Sequence, residues 1–415
     1  SMKRTYIRRA AELVTCSGNK AKHGSDMKEV GIIKNGAVLI EDGRIARVGT
    51  TEELDKEVDF STAELIDADG QAVLPGFVDS HTHFVFGGYR ADEFGWRLQG
   101  ESYLSIMEKG GGINATVTPT RAASVEDFVA VGKERLDTML RFGVTTVEGK
   151  SGYGMDKDTE IRMLRAMKIL DESHPVDVVR TFLGPHSVLP EWKGKEREFL
   201  KYMLTEVMPE VKKEDLAEFA DIFTETGVFN IEDSTWYLQE AKKLGFRLKV
   251  HADEIAPNFG GAEMAVRCGA HSADHLLKAS DEGIRLLAEG NTIATLLPLT
   301  AFCLKEPYAP ARKMIDAGCA VALASDLNPG SCFSNSIPLL IALGCIYMGM
   351  RIEEVVTALT LNGAAAVGRE KEIGSIDPGK QADLIFLRYP SIQFLPYRTG
   401  VNIVSRVMKR GELVI

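Results

Sequence analysis

Pro75-Gly-Phe-Val-Asp-Ser-His-Thr-His83 is the stretch on which the architecture turns. Ahead of it, residues 30 to 74 read as short strands broken by turns: Gly36-Ala-Val-Leu-Ile40, Arg44-Ile-Ala-Arg-Val48, Glu64-Leu-Ile-Asp67 and Gln71-Ala-Val-Leu74. Short runs rich in Val and Ile, bounded by Gly, Asp and Asn, carry the strand signal. Beyond it, short apolar strands alternate with longer helical stretches, the order of parallel βα units. The change of pattern at Pro75-Gly76 marks the end of a small β unit and the start of an α/β body.

Counting strands onward from that boundary gives 76–84, 144–149, 176–183, 220–226, 247–253, 272–277, 292–297 and 320–325. Eight parallel strands with intervening helices predict a (β/α)8 TIM barrel, with its chemistry at the C-terminal strand ends. After Gly374 the chain returns to short strands, 383–387 and 401–408, separated by Pro390 and Pro396. These are expected to pair with the N-terminal unit. The expected division is a β-sandwich composed of residues 1–74 and 373–415 around a barrel of residues 75–372. Residues 19 to 30 read as a loose insertion, and Ser1 ahead of Met2 as an added residue.

At 45% apolar and 26% charged residues, the 415-residue chain has the composition of a soluble globular protein. Its net charge of −10 argues against nucleic acid, which needs a coherent basic face. The six cysteines show no CxxC pairing, which favours free thiols in a reducing compartment. No secretory signal is visible. The most apolar segment, residues 337–350, contains Pro338 and Gly344 and falls short of the ~18 residues of a membrane span. A cytoplasmic protein with no membrane partner is the expectation.

His81 and His83 flank Thr82 at the end of the first barrel strand, so both imidazoles share one face of that strand. A lone histidine on a strand is more often a satisfied core residue, and the pair alone leaves the choice open. Strand five ends Val250-His251-Ala-Asp-Glu254, strand six Ser272-Ala-Asp-His275 and strand eight Ala324-Ser-Asp326. Unrelated buried polar residues would scatter along the strands. Collected at one rim, these read as a metal-centred active site. Three imidazoles and a carboxylate suit zinc or ferrous iron, and ligand type does not separate the two. Glu254, at the mouth of strand five, is positioned for proton transfer, and His275 for stabilising a developing oxyanion.

The stretch from Pro75 to His83 resembles the first-strand motif of the amidohydrolase superfamily. In that superfamily the metal is held by the HxH pair, a histidine ending strand five and an aspartate ending strand eight. Those positions match His81, His83, His251 and Asp326. Binuclear members add a modified lysine at the end of strand four. Here that strand ends Phe223-Thr-Glu-Thr226 and Lys150 follows strand two, so the resemblance implies one divalent ion, with Glu225 as a residual candidate for a second.

Several further segments are similar to the imidazolonepropionase family: Arg90-Ala-Asp-Glu-Phe94, Gly110-Gly-Gly-Ile-Asn114, Lys150-Ser-Gly-Tyr-Gly154, Phe182-Leu-Gly-Pro-His186 and Ser325-Asp-Leu-Asn-Pro-Gly-Ser-Cys332. The similarity runs over nearly the whole chain, with His271 standing where an apolar residue is expected. It implies hydrolytic ring opening of 4-imidazolone-5-propanoate to N-formimidoyl-L-glutamate in histidine degradation, with a metal-activated water attacking the ring amide carbonyl. It further implies that Arg90 meets the substrate's propanoate, that Tyr103, Tyr153, His186, Glu254, Asn328, Gly330 and Ser331 contact the substrate, that Glu254, His275 and Asp326 are catalytic, and that the chain forms a homodimer. Two other readings stand beside it: another mononuclear amidohydrolase, such as a cytosine- or guanine-type deaminase, and a non-catalytic barrel scaffold.

Overall fold

The computed structural model describes residues 2–415; Ser1 lies outside the described residues. Its barrel strands are Phe77–Thr82, Val144–Lys150, Asp177–Phe182, a fourth split into Phe219–Ala220 and Phe223–Thr224, then Arg247–Ala252, Ser272–His275, Ile293–Leu296 and Val321–Leu323. We number these one to eight. Each pairs in parallel with the next. Strands sandwiched between helices and barrel interior lie buried on both faces, as strand two is over its whole length.

The ring is laced shut just past the strand ends. The Asp326 amide donates to the His81 carbonyl at 2.9 Å, and the His83 amide to the Leu327 carbonyl at 2.7 Å. Strands eight and one are therefore locked in register at the rim where the predicted chemistry lies. Strand four breaks because Asp221 takes part in its own backbone, its Oδ1 accepting the Ile222 amide at 2.7 Å.

The second sheet runs through both ends of the chain. Ala72–Pro75 pairs on one side with the first strand of the molecule, Arg4–Val14, and on the other with Leu384–Leu387, which continues to Val404–Lys409 and Glu412–Leu413. On its other side Arg4–Val14 leads to Ile32–Glu41 and Arg44–Thr50, and its first half also pairs with Glu64–Asp67. A core of Ile7, Leu13, Val38, Ile40, Ile66, Val73, Leu384 and Phe386 draws from both chain ends. The strand Arg4–Val14 was not anticipated from sequence. Its register shifts between Ile7 and Ala10, where Arg9 takes φ 66°, and this bulge breaks the alternation that would have announced it.

Residues 19–30 correct the expectation of a loose insertion. They form a 3₁₀ turn, Gly24–Lys28, whose Met27 is buried in the main core. The Thr357 hydroxyl donates to the Met27 carbonyl at 2.6 Å, and the Asn362 amide group brackets Lys22 on both its backbone sides. Among the described residues, no helix is long and apolar enough to cross a membrane.

Candidate active site

His81 and His83 project from the end of strand one into the barrel mouth, both buried. His81 Nε2 lies 3.2 Å, and His83 Nε2 3.3 Å, from the same oxygen of Asp326. His251 comes from strand five, its ring centroid 4.8 Å from that of His81. His275 ends strand six with its centroid 5.2 Å from His251. Two overlapping triads, His81–His83–His251 and His81–His275–Asp326, each bring three ligand atoms within 4.8 Å of one another. The two triads share His81, and His275 stands in the second of them beside Asp326.

The backbone is bent to achieve this. Asp326 and His275 adopt φ values of 52° and 84°, conformations that non-glycine residues hold only where the surroundings enforce them.

Each imidazole is oriented from behind. His81 Nδ1 donates to Asp274 Oδ2 at 2.5 Å, and His251 Nδ1 sits 3.2 Å from Asp221 Oδ1. A carboxylate on Nδ1 fixes the tautomer that leaves Nε2 with a free lone pair. The Thr300 hydroxyl donates to Asp326 Oδ2 at 2.7 Å, leaving Oδ1 for the histidines. Asp221, Asp274 and Thr300 were not singled out from sequence. Asp221 and Asp274 lie on strands whose ends carry expected site residues, but only the folded pairing reveals their role.

The electrostatics are those of a cation site. Burial and Lys150 push the His81 pKa down, but Asp326 and Asp274 outweigh them and raise it to about 9. Burial opposes the charge of Asp326, yet the surrounding histidines hold its carboxyl well below the usual range. Burial lowers His83 to about 4 and His275 to about 3, so both present neutral rings. The buried His81 Nε2 has no hydrogen-bond partner. An orphaned nitrogen facing an anionic oxygen, ringed by neutral imidazoles, fits a divalent ion.

Glu254 stands beside this cluster, 19% exposed, with Oε1 3.6 Å from His275 Nδ1. Burial and the nearby carboxylates of Asp326 and Glu225 raise its pKa to about 8. Glu225 itself is fully engaged elsewhere. Its carboxylate accepts the amides of Thr226, Ile255 and Ala256, so it braces the loop that carries Glu254.

The substrate-side residues fall into two groups. Tyr153 and His186 line the mouth, the His186 ring stacked on His83 at 5.1 Å and the Tyr153 ring 4.9 Å from His186. Arg90, Gly330 and Ser331 line an adjacent cavity of about 300 Å³, together with Phe86, Phe94 and Cys332. Arg90 is half-buried against Glu93 at 2.5 Å, and its Nε has no partner. Asn328 is the framework of that cavity's loop, its Oδ1 accepting the amides of Gly330 and Ser331 at 3.0 and 2.9 Å. Tyr103 is not gathered in; it begins the helix Tyr103–Glu108 and is 73% exposed.

The amidohydrolase family model matches residues 72–414, and a model of the bacterial imidazolonepropionase-like composite domain matches residues 36–56. An imidazolonepropionase of Parabacteroides distasonis is 59% identical over 98% of both chains. The chain belongs to the imidazolonepropionase family. It is thereby an amidohydrolase, an enzyme class that hydrolyses carbon–nitrogen bonds. The Clostridium tetani imidazolonepropionase is 55% identical, covering 98% of this chain and 97% of the relative. The fold is shared with the crystal structure of an adenosine deaminase from Xanthomonas campestris with bound zinc, at a TM-score of 0.70 and 19% identity, covering 99% of this chain and 92% of that one.

Proposed function

We propose that the protein opens the ring of 4-imidazolone-5-propanoate by hydrolysis, giving N-formimidoyl-L-glutamate. The observation that carries the reading is the pair of triads His81–His83–His251 and His81–His275–Asp326, joined at His81, beside a protonatable glutamate and a cavity holding a half-buried arginine. His81, His83, His251 and Asp326 would hold one zinc or ferrous ion. Such an ion, when bound, lowers the pKa of water and polarises a carbonyl oxygen.

The chain's own groups do the rest. Arg90 exchanges its ion pair with Glu93 for the propanoate, a guanidinium fitting a carboxylate bidentately. Tyr153 and His186 wall the ring on the side of His83. Glu254, whose pKa burial raises, takes a proton from the attacking water and returns it to the departing ring nitrogen. Neutral His275 offers an N–H to the oxygen that gains charge as the carbonyl becomes tetrahedral. Asp326, fixed through Oδ2 by the Thr300 hydroxyl, turns Oδ1 to His81 and His83 and assists in activating the water.

Incubating the zinc- or iron-loaded protein with 4-imidazolone-5-propanoate and weighing the product tests this. Gain of one water without ammonia is expected. Release of ammonia, or no turnover, overturns the reading in favour of a deaminase or a scaffold. Metal analysis should return one ion per chain, and two at full activity would overturn the mononuclear assignment. The reading includes a cytoplasmic homodimer, which sedimentation at the mass of a single chain would exclude.

A further inference from the structure

Beneath the four proposed ligands lies a layer of charge that the reaction does not use directly. Glu148 and Lys150 on strand two, Asp221 within strand four, Lys249 on strand five and Asp274 on strand six are all inaccessible to solvent. Charges buried this completely persist only when paired and hydrogen-bonded. Lys150 is the hub. Its Nζ donates to Glu148 Oε2 at 2.6 Å and to Asp221 Oδ2 at 2.8 Å. Lys249 donates to the Ser272 hydroxyl at 3.0 Å and lies 5.3 Å over the Phe219 ring, with no carboxylate among the described residues in hydrogen-bond reach.

What each of the two carboxylates does next gives the hub its meaning. Glu148 Oε1 accepts the backbone amide of Thr82 at 3.2 Å, and the Glu148 carbonyl accepts the Thr82 hydroxyl at 2.8 Å. Thr82 is the residue between His81 and His83. Both oxygens of Asp221 face His251 Nδ1, Oδ1 at 3.2 Å and Oδ2, the one Lys150 holds, at 3.1 Å. A single ammonium thus spans from the backbone that carries two of the proposed ligands to the carboxylate that orients a third, reaching strands one, two, four and five.

We propose that Lys150 is the positioning residue of the metal centre: by bridging Glu148 and Asp221 it holds His81, His83 and His251 in the geometry that binds the ion. Burial opposes its charge, but Asp221, Glu148 and Asp274 outweigh burial and raise its pKa above the ordinary lysine value, so the bridge is ionic throughout the working pH range. Without it, two buried carboxylates face each other with no cation between them. One must take up a proton or swing away, and in either case Asp221 ceases to be a fixed acceptor for His251.

This inference rests on the reading of His81, His83, His251 and Asp326 as holders of one ion. The experiment compares wild type with Lys150→Met, both stripped of metal and shown to be folded by circular dichroism and thermal melting. Affinity for Zn2+ is measured by competition with a chromophoric chelator, and the ligand field is read from the visible absorption of the Co2+ form. Loss of partners one layer out from the ligands costs ~10- to 100-fold in metal affinity. A fall of about that size, with displaced Co2+ bands, is expected in Lys150→Met. Should that variant not fold, Glu148→Gln/Lys150→Met, which removes one charge of each sign, replaces it with the same expectation. Wild-type affinity and an unchanged Co2+ spectrum in the folded variant overturn the role of Lys150 and leave the metal site standing. Failure of the wild type to bind one Zn2+ removes both.

Discussion

Glu254 and Arg90 divide the proposed chemistry between them, and single substitutions separate their contributions. Glu254→Gln keeps the volume and removes the proton relay, so bound metal should stay at the wild-type level while kcat falls ~10²- to 10⁴-fold. A near-normal rate removes Glu254 from the mechanism. Gly330 is the subtler position: a Cβ there would lie 2.5 Å from Arg90 Nη1. The guanidinium must shift away from that Cβ, off the position where Glu93 holds it, so Gly330→Ala should raise KM with metal content unchanged and kcat little altered. The cost is about 1.5–3 kcal/mol if a charged hydrogen bond to the substrate is lost. Wild-type kcat/KM in that variant would detach Arg90 from the substrate. These two positions were legible in the sequence because strand-end and loop motifs carry them. Asp221, Asp274 and Thr300 were not, since an acid within a strand, or a hydroxyl in the helix Pro298–Leu304, becomes meaningful only when another element brings an imidazole or carboxylate against it.

Strand four and the loop after strand five act as one element, because Glu225 holds the loop by its Ile255 and Ala256 amides. Glu225→Ala should therefore lower kcat through a loosened Glu254 while one ion per chain remains bound. Loss of metal in that variant would instead make Glu225 part of the metal environment. The barrel strands were readable to within about two residues at their starts, since each is a short apolar run between turn residues. All ends but that of strand two, which runs one residue further than expected, were overestimated: strand eight was expected to reach Ser325 and stops at Leu323, because Ser325 turns its amide and hydroxyl to Asp79. The fourth strand was expected whole and is broken at Asp221. In both cases a polar side chain competes with the sheet for backbone partners, and an apolar count does not register that competition.

At the scale of the molecule, sheet and barrel are pinned by Lys409, whose Nζ reaches Asp383 at 2.6 Å within the sheet and Asp177 at 2.8 Å and the Thr145 carbonyl at 3.0 Å on the barrel. Lys409→Met leaves the buried Asp383 carboxylate without its cation, while Asp177 keeps Arg410, and should lower unfolding stability by about 3–5 kcal/mol, read by chemical denaturation. An unchanged denaturation midpoint would show the pin to be dispensable. Burial alone would raise the Asp177 pKa, yet Lys409 and Arg410 hold it below the ordinary value. The unfolded chain then takes up its proton at higher pH than the folded one, so this stability is complete above about pH 4 and lost as pH falls through the native value. Melting temperatures followed downward from about pH 5 should drop less steeply in Lys409→Met than in wild type. The same sheet also sets a timetable for the nascent chain. Ala72–Pro75 pairs with Leu384–Leu387, so at about 5–20 residues per second a ribosome needs roughly 15–60 s to supply the partner of an already emerged strand. Throughout that interval the early strands carry an open hydrogen-bonding edge, which makes chaperone capture during translation a natural companion of this topology.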